Sequence, residues 1–434
     1  LFIMHVALGG CLGPPPIRFG ITADTGGHIA YVLGAAAAQA RRPCVRQISI
    51  VTRLFDDPRL NADYARPRQR LDAKTTIDRI ATADRAYLEK EALDRELASF
   101  IDAFRRHLAG LAARPDIIHA HFADAARAAI AARAAFDIPF VYTPHALGIG
   151  KRAGPGKESD LVRRIDAERA AITAADAIIV STRNEAEHQV AAYGVSHRAS
   201  RIKCLYPGVL DTVTSPVRRD RPMRYPSLDD PAKPIVLAIA RPVRKKNLIA
   251  LVRAYATTPG LVQAANLVIL AGQHGDGLLS DEERAVVTEL CQMRDALGLA
   301  GNMAFPPTHD ARDVDALYRR AAIGGVFVNP AWHEPFGLTL IEAAAAGVPV
   351  VATSRGGPAD IIAETGHGIL IDPADDAAIG QACLSILSDP LLHARLSNAG
   401  RSNANSFSWS RYAERSIDLY GSLRHAETDR RAVA

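Results

Sequence analysis

The sequence predicts an α/β protein of two doubly wound domains, each a largely parallel sheet between helices. Three observations predict it. The 434-residue chain is too long for one ordinary core and suits two cores of roughly 200 residues. Short apolar runs alternate with Ala-rich helical stretches, as strands buried on both faces do. The stretch Asp211 to Pro234 is rich in Pro, Arg and Asp and poor in periodic apolar residues, as a connection between domains is.

In the first half the expected strands are Phe2–Leu8, Ile48–Thr52, Asp116–His121, Pro139–Thr143 and Ala177–Ser181. In the second half they are Ile235–Ala240, Leu267–Ala271, Met303–Phe305, Val326–Asn329, Val348–Thr353 and Gly368–Ile371. Domains are expected over 1–212 and 234–405, with a linker over 213–233 and a C-terminal segment over 406–434. Doubly wound domains bind ligands at the carboxyl ends of their strands, so a shared cleft facing both sets of strand ends is expected.

Composition narrows the function classes. A net charge of +5, from 52 basic and 47 acidic side chains not packed into runs, argues against nucleic acid as a partner. No apolar run reaches the roughly 18 residues of a membrane helix, so no membrane partner is expected. Five scattered cysteines without a C-x-x-C pair fit a reducing, cytoplasmic setting. Leu8-Gly9-Gly10-Cys11 has the look of a lipoprotein box, but it lacks a basic leader and reads as the end of a first strand.

The strongest motif is Asn329 to Glu342, in which a strand ends, a Pro- and Gly-containing loop follows, and an Ala-rich helix opens near Gly337. Uncapped N–H groups around Gly337, Leu338 and Thr339 would make an anion site. Glu334 and Glu342 bracket that site, as carboxylates do when they accept hydrogen bonds from hydroxyls of a phosphorylated ligand. Upstream, Arg241 and Lys246 lie where a strand gives way to a helix and can neutralise a diphosphate.

Near the start, Gly26, Gly27 and His28 open a helix after the first strand. His119-Ala120-His121-Phe122 and Thr143-Pro144-His145 sit at later strand ends, and Lys90, Lys151, Arg163 and Arg164 supply cations that suit a phosphate. Arg164 and Glu168, four apart on a helix, can also simply pair with each other. The His-x-His pair lacks a third ligand at metal spacing, so no metal site is expected.

These strings together resemble one family. Glu334 to Thr353 is similar in wording to the sucrose-phosphate synthases and carries the E-x7-E pattern of family 4 retaining glycosyltransferases. Arg241-x4-Lys246-Asn247, Asp24-Thr25-Gly26-Gly27, Tyr87 to Glu91, His119 to Asp124, Thr143 to Lys151 and Arg163 to Glu168 extend the resemblance from Asp24 to about Tyr420. It implies the GT-B fold, with the segment after Phe407 crossing back to the first domain. It further implies glucose transfer from UDP-glucose to fructose 6-phosphate, with retention and no required cofactor. Mg2+ would enter only as an activator.

By the same resemblance, Glu334 binds the donor sugar's hydroxyls, Glu342 its ribose, and Arg241 and Lys246 its diphosphate. The Phe305 to His309 loop contacts the base, with Gly27, Gly337, Leu338 and Thr339 also on the donor. His145 faces the donor hexose, while Gly26, Gly27, His28, Lys90, Phe122, Lys151, Arg163 and Arg164 serve the acceptor. The chain departs from the family at Val243-Arg244, where Asp-Pro is usual, and at His28, where Gln is usual. Phe122 and Ala146 replace hydroxyl-bearing residues, and Asp94 replaces an aromatic. Sucrose synthase and mannosylfructose-phosphate synthase chemistry, or a non-catalytic sugar-phosphate binder, are the competing expectations. A monomer or homodimer is expected.

Overall fold

A computed structural model describes residues 1–18, 21–22, 24–149, 158–208, 228–272, 274–275 and 279–433, with only the backbone of 90–91, 196–198 and 425–433. The chain divides into two compact units. One comprises Leu1–Arg18, Asp24–Gly208 and Trp409–Ala434, the other Phe19–Ala23 and Val209–Ser408. Most of the expected linker, 213–227, lies outside the described residues.

The first unit holds an eight-stranded sheet. Its strands are β1 (Phe2–Val6), β2 (Gln47–Leu54), β3 (Arg68–Arg70), β4 (Thr75–Ala81), β5 (Ile117–His121), β6 (Phe140–Thr143), β7 (Ala177–Val180) and β8 (Ile202–Cys204). The order is β3-β4-β2-β1-β5-β6-β7-β8, parallel throughout except that β3 pairs antiparallel with β4. β3, β4 and β8 are strands that apolar-run reasoning passes over. β3 is polar and largely exposed, as an edge strand must be, and Thr75-Thr76-Ile77-Asp78-Arg79 interleaves polar with apolar side chains.

The second unit holds β9 (Ile235–Ile239), β10 (Asn266–Leu270), β11 (Met303–Ala304), β12 (Val326–Asn329), β13 (Val350–Thr353) and β14 (Gly368–Ile371). Their order is β11-β10-β9-β12-β13-β14, all parallel. Parallel strands need crossovers, and the helices that make them bury the sheet. In both sheets the order runs outward one way and then reverses: between β1 and β5 in one, between β9 and β12 in the other. At such a switch point the loops after the two neighbouring strands leave in opposite directions and open a crevice at the carboxyl ends.

One core of the first unit is closed by the C-terminal helix Trp409–Val433. Its Trp409, Tyr412, Ala413, Ile417 and Tyr420 pack with Ile29, Tyr31 and Val32 of the helix Gly27–Ala40. Gly34 makes room for this contact, since a Cβ there would lie 2.4 Å from the Trp409 ring. Each large apolar side chain so buried contributes about 1.5–3 kcal/mol. Among the described residues no helix is long and apolar enough to cross a membrane.

Candidate active site

In the second unit, Arg241 and Lys246 follow β9 and Glu334 follows β12, so the two neighbouring strands of the switch point deliver them together. Lys246 Nζ lies 2.5 Å from Glu334 Oε2, and Asn329 Nδ2 donates to the same oxygen over 3.1 Å. Burial pushes the Glu334 carboxyl up, but Lys246, Asn329 and Lys245 outweigh it and hold the group below the usual carboxylate range. Arg241 Nε donates to Glu283 Oε1 over 3.1 Å. Glu283 in turn closes the capping box of the helix Asp281–Ala296 with Ser280.

Backbone constraints hold this cluster. Asn247 has φ 55°, and its amide donates to the Pro330 and Pro373 carbonyls at 3.1 and 2.9 Å. Asn tolerates that left-handed geometry better than most residues. Gly356 has φ 103°, and a Cβ on it would meet the Glu334 carbonyl oxygen at 2.2 Å. Gly356 and Gly357 therefore let a second loop lie against the Glu334 loop, where Gly357 N–H donates to Glu334 O over 2.9 Å. The Gly-Gly-Pro string is legible in the sequence as a turn; its buttressing of Glu334 is not.

The helix Leu338–Ala346 starts after Gly337, whose φ is 108°, and no side chain caps it. Leu338 and Thr339 thus carry first-turn N–H groups of the kind that bind anions. Glu342, half-buried on that helix, accepts from Tyr318 Oη over 2.9 Å. Burial raises its carboxyl to about 7 despite that hydrogen bond. The base-contacting loop expected around His309 is flanked by His274, whose ring stacks on Phe305 at 4.3 Å between centroids. Burial lowers the affinity of both His309 and His274 for protons. Nothing in the residues around His274 marks it in the sequence as a neighbour of this loop.

In the first unit, Gly26 caps the helix Gly27–Ala40 without a side-chain bond, and its φ of −134° is ordinary extended backbone. His28 donates toward the Gly9 carbonyl over 3.2 Å, and its ring lies 5.2 Å from Phe122 and 6.2 Å from His145. Phe122 and His145 are themselves 5.0 Å apart and carry φ of 68° and 58°. Among the described residues only four non-glycines have positive φ, and three of them, Phe122, His145 and Asn247, fall inside the motifs singled out from sequence. Such geometry costs on the order of 1 kcal/mol or more per residue and is typical of functional sites.

The expected phosphate cations divide. Arg164 Nε pairs with Glu168 Oε1 at 2.8 Å and Arg164 Nη2 donates to the Ala146 carbonyl at 2.7 Å, so this guanidinium clasps the loop after His145. Glu168 also accepts from Gly148 N–H at 2.8 Å and from the Tyr193 hydroxyl. Arg163 is exposed and pairs with Asp160. Lys90 opens the 3-10 helix Lys90–Glu96, but its side chain lies outside the described residues, as Lys151 does entirely.

A third histidine reaches the His-x-His pair from another strand. His5 of β1 is the register partner of His119, and the three rings form the one potential metal cluster among the described residues. Their six ring nitrogens all bond to other side chains. His5 bonds His121 and Gln39, His121 also bonds His145, and His119 bonds Thr143 and Tyr420. Each lone pair and proton is thus already engaged within the protein.

Comparison with known proteins agrees with this architecture. A model of the glycosyl transferase 4-like domain matches residues 26–208, and one of the glycosyl transferases group 1 matches 223–403. The chain therefore belongs to the glycosyltransferases, and its two parallel-sheet domains are those of the GT-B fold. Within that class it is a homologue of the sucrose-phosphate synthases. It is 32% identical to a probable sucrose-phosphate synthase 2 of Craterostigma plantagineum, over 94% of this chain and 46% of that one. The sucrose-phosphate synthase of Zea mays is also 32% identical, with the same coverage. The chain thus spans about half the length of the curated relatives it matches. The solved sucrose-phosphate synthase of Thermosynechococcus elongatus superposes with a TM-score of 0.79 at 25% identity, over 98% of this chain and 99% of that one.

Proposed function

We propose that the chain is a retaining hexosyltransferase that moves glucose from UDP-glucose to the 2-hydroxyl of fructose 6-phosphate, giving sucrose 6-phosphate. The observation that carries this reading is the joint placement of Arg241, Lys246 and Glu334 at one switch point, in a homologue of sucrose-phosphate synthases. Glu334, kept ionised by its neighbours, accepts hydrogen bonds from hydroxyls of the donor hexose, and Glu342 accepts from the ribose. Lys246, Arg241 and the N–H groups of Leu338 and Thr339 take the diphosphate, with the His309 loop at the base. As the bond from the anomeric carbon to the diphosphate oxygen breaks, these groups stabilise the growing charge.

The acceptor's 2-hydroxyl attacks the same face through an oxocarbenium-like transition state. Its proton passes to the departing phosphate oxygen as the new carbon–oxygen bond forms. His145 adjoins the hexose, and Gly26, Gly27, His28 and Phe122 border the acceptor. Lys90, Lys151 and Arg163 hold the acceptor's phosphate, with Arg164 fixing the loop that leads to Lys151. The scheme needs no cofactor and no metal, Mg2+ serving at most as an activator. We read it as a cytoplasmic enzyme acting as a monomer or homodimer.

Phe122 and Ala146, standing where relatives carry hydroxyls, favour one second reading: the same chemistry with another acceptor or donor, of the sucrose synthase or mannosylfructose-phosphate synthase type. Mass spectrometry of products from mixed nucleotide sugars and sugar phosphates tests both. A disaccharide phosphate of two hexoses is expected. Turnover with fructose and none with fructose 6-phosphate would overturn the assignment, and nucleotide-sugar binding without transfer or hydrolysis would indicate a binding protein.

A further inference from the structure

Behind His145 runs an unbroken chain of hydrogen bonds within the first unit, fully buried beyond His121. His145 Nε2 lies 2.8 Å from His121 Nδ1, His121 Nε2 lies 3.0 Å from His5 Nδ1, and His5 Nε2 lies 2.8 Å from Gln39 Oε1. Gln39 Nε2 continues it to Ser416 Oγ at 2.9 Å and Tyr420 Oη at 3.4 Å on the C-terminal helix. His5, His121 and Gln39 are all fully buried, so no water can substitute for a missing partner.

A neutral imidazole has one donor and one acceptor nitrogen, so in a chain of neutral rings every proton position follows from the one at its end. Ser416 Oγ donates to the Ala413 carbonyl over 3.2 Å, inside its own helix, and so accepts from Gln39. Gln39 must then turn its amide nitrogen to Ser416 and its oxygen to His5. His5 donates from Nε2 and accepts at Nδ1, His121 repeats the pattern, and His145 donates from Nε2. Burial holds His5 down to about 4 and lowers His121 well below the usual histidine value, which keeps these two rings neutral. A flipped Gln39 amide would reverse every proton and make His145 an Nδ1–H ring.

We propose that Gln39, His5 and His121 are positioning residues that fix the proton of His145 on Nε2, so that in the neutral ring Nδ1 is the accepting nitrogen. A sugar hydroxyl that meets Nδ1 must therefore do so as a donor. The functional consequence rests on the reading of His145 as a neighbour of the hexose; the proton order does not.

Long-range proton–nitrogen correlation spectra of the full chain labelled with 15N-histidine test this, with His145 assigned by the signal lost in His145→Gln. The wild type is expected to show His145 as a single Nε2–H tautomer. In Gln39→Met, which removes both ends of the amide, the pattern should spread over both tautomers and kcat should fall about tenfold. Gln39→Glu keeps an acceptor opposite His5 Nε2 and should retain the single tautomer, as rescue by a merely space-filling residue would not. A wild-type Nδ1–H ring, or an unchanged pattern in Gln39→Met, overturns the proposal. If Gln39→Met does not fold, the wild-type spectrum and the double variant Ser416→Ala/Tyr420→Phe, which removes both groups that take the Gln39 amide nitrogen and is expected to mix the tautomers, decide it. Full transfer by His145→Ala alongside an Nε2–H wild type would remove the sugar contact and leave the proton order standing.

Discussion

The ammonium of Lys246 and the carboxylate of Glu334, 88 positions apart in the chain, form a 2.5 Å ion pair across the ends of two adjacent strands. The pair ties the residue expected to grip the leaving diphosphate to the one expected to grip the sugar. The ion pair therefore couples the two side chains energetically.

That coupling predicts non-additive kinetics. Lys246→Ala and Glu334→Ala should each cut transfer by at least about tenfold. Lys246→Ala should also lower stability by roughly 3–5 kcal/mol, because it leaves a buried carboxylate without its cation. The double variant should lose clearly less than the sum of the two, in both kcat/KM and the denaturation midpoint. Strict additivity would show that the pair does not form in solution.

The Glu342 carboxyl supplies a pH signature. Its raised pKa means the folded chain binds this proton more tightly than the unfolded chain, from the usual 4.5 up to about 7. Its contribution to stability is full below that window and is lost as pH rises through it. Glu342→Gln should therefore destabilise less, relative to wild type, at the alkaline end of the window than at the acid end. If the ionised form binds the ribose, UDP affinity should rise with pH through about 7 in the wild type and stay flat in Glu342→Gln. Calorimetric titration with UDP reads this, and parallel profiles would remove Glu342 from the ribose.

The acceptor cations should separate by the kind of damage they cause. Lys151→Ala is expected to raise the acceptor KM with little change in melting temperature. Arg164→Ala should do both, because it also frees Glu168 and the Ala146 carbonyl; losing hydrogen bonds to charged groups costs about 1.5–3 kcal/mol each. Arg163, exposed and paired with nearby Asp160, should be within about 0.5 kcal/mol of neutral for stability. An Arg164→Ala variant with unaltered stability would contradict the clasp.

Gly34→Ala tests the seat of the C-terminal helix. Helix propensity alone favours Ala by about 1 kcal/mol, but overpacking costs about 1–3 kcal/mol, and the 2.4 Å approach to Trp409 makes the second effect win. The melting temperature should fall. A rise would mean that Trp409 does not sit against this helix.

Much of the fold was legible because a strand buried on both faces has to be apolar, whatever surrounds it. All eleven strands expected from apolar runs are present within two residues at either end, and the ones missed, β3, β4 and β8, are polar or short edge elements. The strand-end motifs were legible for a related reason: a parallel sheet delivers its carboxyl ends to one side, so polar residues just after apolar runs are gathered there. Arg241, Lys246 and Glu334 could be named from the line of residues. The pairing of Lys246 with Glu334 depends on which strands are neighbours, and β9 and β12 become neighbours only by crossing over two others in sequence.

The histidines draw the line most clearly. Residue order alone determined that His119 and His121 share one face of a strand, since side chains alternate with period two, and that His145 ends the next. It left His5 hidden in an apolar run and Gln39 on an Ala-rich helix, with nothing local to mark either. Only the tertiary structure, by setting β1 against β5 and laying the C-terminal helix on the helix Gly27–Ala40, joined them to Ser416. Hydrogen bonds are short-ranged and directional, so their partners are chosen by the packing of distant segments and not by the composition of any one of them.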